Sequence, residues 1–276
     1  MNNFWTRTLS ALVFGAVMVF GIIWDRTLFG ALFVVILWMA LQEFYRMALG
    51  MRFQLQQKLG LLTGALSFFF VACHVFYGWP LAWLALPLLL LLLLPGSCLL
   101  LPTREHFEDL SIIYTGLLYI ALPITLSPLI MMDGEIYDGW LMLCFFLMIW
   151  ASDIGAYCIG TLLGQGPKAH KLAPTISPKK SWWGFGGGLF FGVGAAIGLY
   201  YLGWLQYDLV HCIILGVIIS VFGVCGDLFE SMWKRHFGVK DSGHCIPGHG
   251  GMLDRFDSSL VAIPMACIYL ALIDLI

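Results

Sequence analysis

Three carboxylates stand where an apolar chain should least tolerate them. Asp153 lies in WASDIGAY, Asp227 in CGDLFES and Asp254 in GMLDRFD, each at or inside the end of an apolar run. An ionised carboxylate there is costly unless it is paired or holds a cation. The longest polar stretch, SMWKRHFGVKDSGHCIPGHGGMLDRFD from Ser231 to Asp257, adds four basic residues, three carboxylates, three histidines and five glycines. Carboxylates gathered with bases indicate a magnesium site for a phosphate-bearing substrate, because magnesium favours one or two carboxylates completed by substrate phosphates. Asp227 and Asp254 are expected to share that cation, with Asp153 as a third candidate ligand. For Asp153 the competing reading is a structural ion pair with a lysine. Glu230 and Ser231 follow Asp227 by three and four residues, so they share its helix face. Glu230 either supports the site or is solvated at the interface.

Gly248-His249-Gly250-Gly251 precedes an apolar run. Glycines let a backbone approach an anion closely, and a helix N-terminus supplies unpaired N–H groups and a positive dipole end. A triphosphate or pyrophosphate would suit it. The cluster His236, His244, Cys245 and His249 fits no familiar zinc spacing. The eight cysteines are scattered without a CxxC pair, so they read as small apolar residues rather than a disulfide framework.

The elements that must carry these groups follow from composition. The 276 residues are 61% hydrophobic and 11% charged, with mean hydropathy +0.90. A soluble domain carries roughly 25% charged residues, so soluble classes are excluded. The fold class is an all-α polytopic integral membrane protein. A ruler of about 20 apolar residues per span gives nine helices, roughly 6–24, 27–46, 58–77, 81–101, 110–131, 140–163, 184–204, 208–230 and 256–274. The first apolar segment leads directly into the next, so it reads as a retained span rather than a cleaved signal. The fourth span contains Leu88 to Leu94, read as lipid-facing filler. Gly184, Gly188 and Gly192 recur every four residues, a stripe that permits close helix packing. Residues 1–139 read as scaffold helices. Residues 140–276 read as a catalytic core with two long loops.

Resemblance adds a function. Ser231, Lys234-Arg235, Lys240-Asp241, Gly243, Pro247, His249-Gly250-Gly251 and Asp254-Arg255-Phe256-Asp257 resemble the signature of bacterial CDP-diacylglycerol synthases, the phosphatidate cytidylyltransferases. Trp233 departs from it, standing where a smaller aliphatic residue or Phe is usual. Ser177-Pro178-Lys179-Lys180-Ser181 and Gly184 resemble a second family segment, and Asp153, Gly155, Ala156, Tyr157 and Gly160 a third. In the second segment Trp183 occupies the place of the family's glutamate.

The resemblance implies transfer of CMP from CTP to phosphatidic acid, giving CDP-diacylglycerol and pyrophosphate in phospholipid biosynthesis. Its cofactor would be magnesium, with room for a second cation. Lys234, Arg235, Lys240, Asp241, His249 and Arg255 would serve catalysis. Ser177, Lys179, Lys180, Ser181, Ser231, Gly250 and Gly251 would bind substrate. Asp227, Asp254 and Asp153 would hold metal. The implied partners are CTP, phosphatidic acid and membrane lipids, with no nucleic acid and with a homodimer allowed. The rival readings are a related CTP-dependent polyprenol or lipid kinase and a transporter with an intramembrane ion site. The implied location is the inner, plasma membrane, with the active site facing the cytoplasm.

Lys and Arg set the orientation of membrane helices. With nine spans, thirteen of the fourteen basic residues fall on one side, and Arg26 alone on the other. The N-terminus and both long loops are therefore expected in the cytoplasm and the C-terminus outside. Labelling of cysteine tags at the two ends should come from opposite sides. Labelling of both from one side would sink the nine-span arrangement.

Overall fold

The computed structural model describes residues 3–100, 107–166, 170–243, 245 and 250–275. The expectations placed on His244, Pro247, Gly248 and His249 lie outside the described residues. The chain forms two compact units. One comprises Met1–Asp138 and Asp241–Arg255, the other Gly139–Lys240 and Phe256–Ile276.

The first unit opens with α1 (Asn3–Ile23), α2 (Arg26–Leu49) and α3 (Gln54–Tyr77). Asp25 begins α2 as its cap, with extended backbone and a carboxylate accepting from the Thr27 N–H at 2.7 Å. This satisfies one of the amides that a helix start leaves without an intrahelical partner. Gly50 and Gly78 close α2 and α3 with positive φ. Next come α4 (Ala85–Ser97), α5 (Leu110–Gly116) and α6 (Leu122–Leu126). A π turn at Leu117–Ala121 joins α5 to α6. Pro123 explains it: proline lacks the N–H that would continue the ladder, and its ring crowds the preceding turn. Most of the Leu88–Leu94 run is exposed, which agrees with a lipid-facing wall. The acidic connector becomes a short antiparallel hairpin of β1 (Met132–Asp133) and β2 (Ile136–Tyr137). Inside the unit, the buried Tyr45 hydroxyl donates to the Ile113 carbonyl at 2.9 Å. Arg26, the one base expected on the outer side, donates to the Phe76 carbonyl at 2.6 Å and lies over the Tyr77 ring.

The second unit holds α7 (Trp140–Leu163), α8 (Trp182–Tyr201) and α9 (Leu209–His236). Between α7 and α8 runs a second hairpin, β3 (Lys171–Ala173) with β4 (Ser177–Ser181). The chain ends with α10 (Leu253–Phe256), which straddles the two units, and α11 (Ser259–Leu272). Eight helical segments of the described residues are long and apolar enough to cross a membrane. They correspond to the second to ninth spans expected from sequence. The first expected span coincides with α1, whose apolar part Thr8–Ile23 is shorter.

The glycine stripe is a packing surface. α8 lies against α7 so closely that a Cβ on Gly188 would stand 3.1 Å from the Ser152 carbonyl oxygen, and one on Gly184 would stand 3.0 Å from that of Ala156. The fit is reciprocal, because a Cβ on Gly155 would stand 2.7 Å from the Gly187 carbonyl oxygen. Membrane helices gain little from hydrophobic burial against one another, so this closeness supplies the attraction. Gly155→Ala should therefore destabilise the protein by about 1–3 kcal/mol. Gly186→Ala adds a Cβ that meets nothing within 4 Å; it should be neutral or stabilising by up to about 1 kcal/mol. Melting temperatures of the two variants in detergent, compared with the parent chain, check this.

Candidate functional site

In the second unit the chemistry gathers on the last three turns of α9. Asp227, Glu230, Ser231 and Lys234 are spaced three, four and seven residues from the first, so they share one face. The Asp227 carboxylate accepts from the Ser231 hydroxyl at 3.2 Å and pairs with the Lys180 ammonium at 2.5 Å. Lys180 comes from β4, 47 residues earlier in the chain. Strand alternation accounts for its direction: neighbouring side chains of a strand point to opposite faces. Lys180 is half-buried while Lys179 is exposed. Ser177 begins the strand. Ser181 ends it and caps α8, its buried hydroxyl accepting from the Gly184 N–H at 3.1 Å.

Glu230 and Lys234 form an ion pair one turn apart, and both are buried. A pair so desolvated holds each partner in place, since removing one would strand a charge. Arg235 is exposed and ties the hairpin to the end of α9. Its guanidinium reaches the Val239 carbonyl at 3.0 Å and the Ile176 carbonyl at 3.4 Å. Lys240 is exposed. Asp257 lies within electrostatic reach of Asp227, Glu230 and Asp153. Gly226 lets the Asp257 carbonyl press against α9. The second unit thus brings Asp153, Asp227, Glu230 and Asp257 into one acidic neighbourhood, with Lys180 and Lys234 as the paired cations.

The first unit holds the other part of the polar stretch. Asp254 turns one carboxylate oxygen back onto its own loop. Oδ2 accepts from the Gly251 N–H at 2.8 Å and the Ser242 N–H at 3.0 Å, and lies 3.0 Å from the Ser242 hydroxyl. Glu43, from α2, accepts from the Met252 N–H at 3.0 Å and the Leu253 N–H at 2.9 Å, and also lies 3.0 Å from the Ser242 hydroxyl. The N–H groups of residues 251, 252 and 253 are therefore engaged by carboxylates of the chain itself. Gly250 takes φ +84°, a left-handed conformation that suits glycine. Asp241 and Arg255 are exposed.

Oxygen donors are the right class for magnesium. Among the described residues no three His, Cys, Asp or Glu side chains form a ready-made cage. Magnesium seldom needs one, because it keeps several waters and takes the rest of its ligands from substrate phosphates. Asp227 with Ser231, and Asp257 beside them, fit that pattern.

The cytidylyltransferase family model matches residues 5–273. The chain belongs to this family. Curated relatives in staphylococci carry the name phosphatidate cytidylyltransferase. That of Staphylococcus aureus (strain COL) is 48% identical over 127 residues, covering 45% of this chain and 46% of the relative. The Staphylococcus haemolyticus protein is 39% identical over 167 residues, covering 60% and 61%. The Staphylococcus saprophyticus protein is 42% identical over 161 residues, covering 58% and 57%. The chain therefore spans about half to three-fifths of the length of these curated relatives.

Sequence reasoning passed over Glu43, Ser242 and the role of Asp257. Glu43 carried a usable signal, a lone carboxylate in the apolar helix of LQEFYRM. It was obscured because the first half of the chain reads as scaffold.

Proposed function

We propose that this cytidylyltransferase-family protein transfers CMP from CTP to phosphatidate, giving CDP-diacylglycerol and pyrophosphate. One observation carries the reading beyond family membership. Lys180 of the Ser-Pro-Lys-Lys hairpin pairs with Asp227 of α9, and Ser231 of the long signature donates to the same group, so two separate family segments converge on one carboxylate.

The lipid phosphate is an anion near neutral pH and needs little help from a general base. Its oxygen attacks the α-phosphorus of CTP. The bond between that phosphorus and the bridging oxygen to the β-phosphate breaks, and pyrophosphate leaves with the electron pair. The demands are in-line positioning and stabilisation of developing charge. Exposed Lys179, Lys240 and Arg255 carry mobile positive charge for the triphosphate. Lys234, fixed by Glu230, acts in this reading through the placement of α9. Asp227, with Asp153 and Asp257 as further oxygen donors, would hold magnesium, which when bound screens phosphate charge and stabilises the departing pyrophosphate. A site facing the cytoplasm at the plasma membrane lets a soluble nucleotide meet a lipid headgroup whose acyl chains stay in the bilayer.

Purified protein in detergent, given radiolabelled CTP, phosphatidate and magnesium, should form labelled lipid and release pyrophosphate. Neither substrate alone should suffice, and a chelator should stop the reaction. Pyrophosphate release without phosphatidate would overturn the reading. Asp227→Asn and Asp254→Asn should each reduce turnover by about a hundredfold or more while the protein still inserts; retained turnover in either removes that residue from the site.

Trp182 and Trp183 open α8 and are exposed. Tryptophan favours the headgroup interface, so the pair anchors the hairpin beside the membrane. Trp183→Glu should then change the rate at saturating magnesium by less than about tenfold, a barrier change under about 1.4 kcal/mol. An inactive natural chain rescued by this substitution would instead make the family glutamate a required ligand.

A further inference from the structure

We infer that Glu43 is a positioning residue for the proposed reaction, clamping Ser242 and the 250–255 stretch so that Asp254 and Arg255 are held in place. The inference rests on the proposed function for its catalytic consequence. It rests on the geometry of the first unit alone for the clamp.

Glu43 lies near the end of α2, about 200 residues from the loop it touches. Both of its oxygens are committed. Oε1 accepts from the Met252 N–H, and Oε2 accepts from the Leu253 N–H with the Ser242 hydroxyl also in reach. These backbone groups open the helix that begins at Leu253, where N–H groups would otherwise lack intrahelical partners. The loop is also shaped around the carboxylate. A Cβ on Gly243 would stand 2.5 Å from Oε1, and one on Gly251 would collide with Oε2. A side chain at either position would push the loop off Glu43.

Ser242 links the clamp to the site. Its hydroxyl lies 3.0 Å from both Glu43 Oε2 and Asp254 Oδ2, and its one proton serves either. The Gly251 N–H, next to the two amides held by Glu43, is held by Asp254. Displacing Glu43 therefore unsettles Ser242 and the backbone beside Gly251, whose N–H groups hold Asp254.

Glutamine is the informative replacement. Both carboxylate oxygens accept from backbone N–H groups, and an amide offers only one acceptor. Either orientation of the amide points a donor at a donor. The neighbouring Cys245 provides a readout independent of turnover. Burial, followed by the Glu43 charge, pushes its thiol up to about 11. Only the thiolate reacts with maleimide, so in the parent chain labelling at pH 8 is slow. Replacing the carboxylate by a neutral amide lowers that thiol's pKa and raises the thiolate fraction.

The test compares the parent chain, Glu43→Gln and Gly243→Ala in detergent. It measures kcat, KM for CTP, melting temperature and maleimide labelling of Cys245 at pH 8, read by peptide mass spectrometry. Glu43→Gln is expected to lower kcat per folded molecule by about tenfold to a hundredfold and to speed Cys245 labelling by about fivefold or more. Gly243→Ala keeps the carboxylate but lifts the loop, and should show the same loss of kcat even if Glu43→Gln folds poorly. Unchanged kcat in both variants, with an active parent chain, overturns this inference alone. So does a fall in melting temperature with kcat per folded molecule intact, which would make Glu43 a structural cap only. An inert parent chain overturns the proposed function, and faster Cys245 labelling in Glu43→Gln would then show that the clamp exists without it.

Discussion

The pairing of Glu43 with the backbone N–H groups of Met252 and Leu253 is the contact on which the 250–255 stretch depends. A carboxylate near the end of an apolar helix loses solvation, and only directed donors restore it. A helix N-terminus has the converse deficit, amides without acceptors. Each cancels the other's cost, and neither is tolerable alone in an apolar setting. That mutual need holds the Gly251–Leu253 backbone beside Glu43.

The second unit solves the same problem with side chains. Glu230 and Lys234 neutralise each other on one helix, one turn apart. Asp227 receives a lysine from a different element. The two pairings have different consequences. Buried Lys234 is locked and serves as part of the frame. Lys180 reaches Asp227 from a two-stranded hairpin, so the charge of that carboxylate is met by a different element of the chain. The close packing of α7 on α8 supports this arrangement, because the hairpin joins those two helices and its last residue, Ser181, caps α8.

The membrane spans were legible in sequence because about 20 apolar residues leave few alternatives, and the glycine stripe because a four-residue period places small side chains on one helix face. The hairpin was less legible. Pro178 argues against a central strand, yet β4 has one partner only, and a proline is tolerated on such an edge. Within the site, Asp227, Ser231, Lys234 and Asp254 stood out as polar groups at span ends. Their pairings did not. Lys180 with Asp227 and Glu43 with Met252 join residues 47 and 209 positions apart, and local spacing carries no information across such gaps. Glu43 was further hidden by surroundings: Leu41, Phe44 and Tyr45, all buried, give its segment the look of plain core.

The occupied amides at 251–253 bear on the glycine stretch before them. From sequence, GHGG before a helix reads as a cradle for phosphate. Here the N–H groups of Gly251, Met252 and Leu253 face Asp254 and Glu43. One N–H cannot fully serve both a carboxylate and a phosphate oxygen, and two anions brought to the same amides would repel. The glycines at 243 and 251 leave the room that the approach of Glu43 requires. In the proposed reaction phosphate recognition would fall to side chains, and Lys179, Lys240 and Arg255 are exposed. Arg255 follows directly after the carboxylate that the loop holds still. Fixing Asp254 therefore also fixes the backbone from which that guanidinium extends.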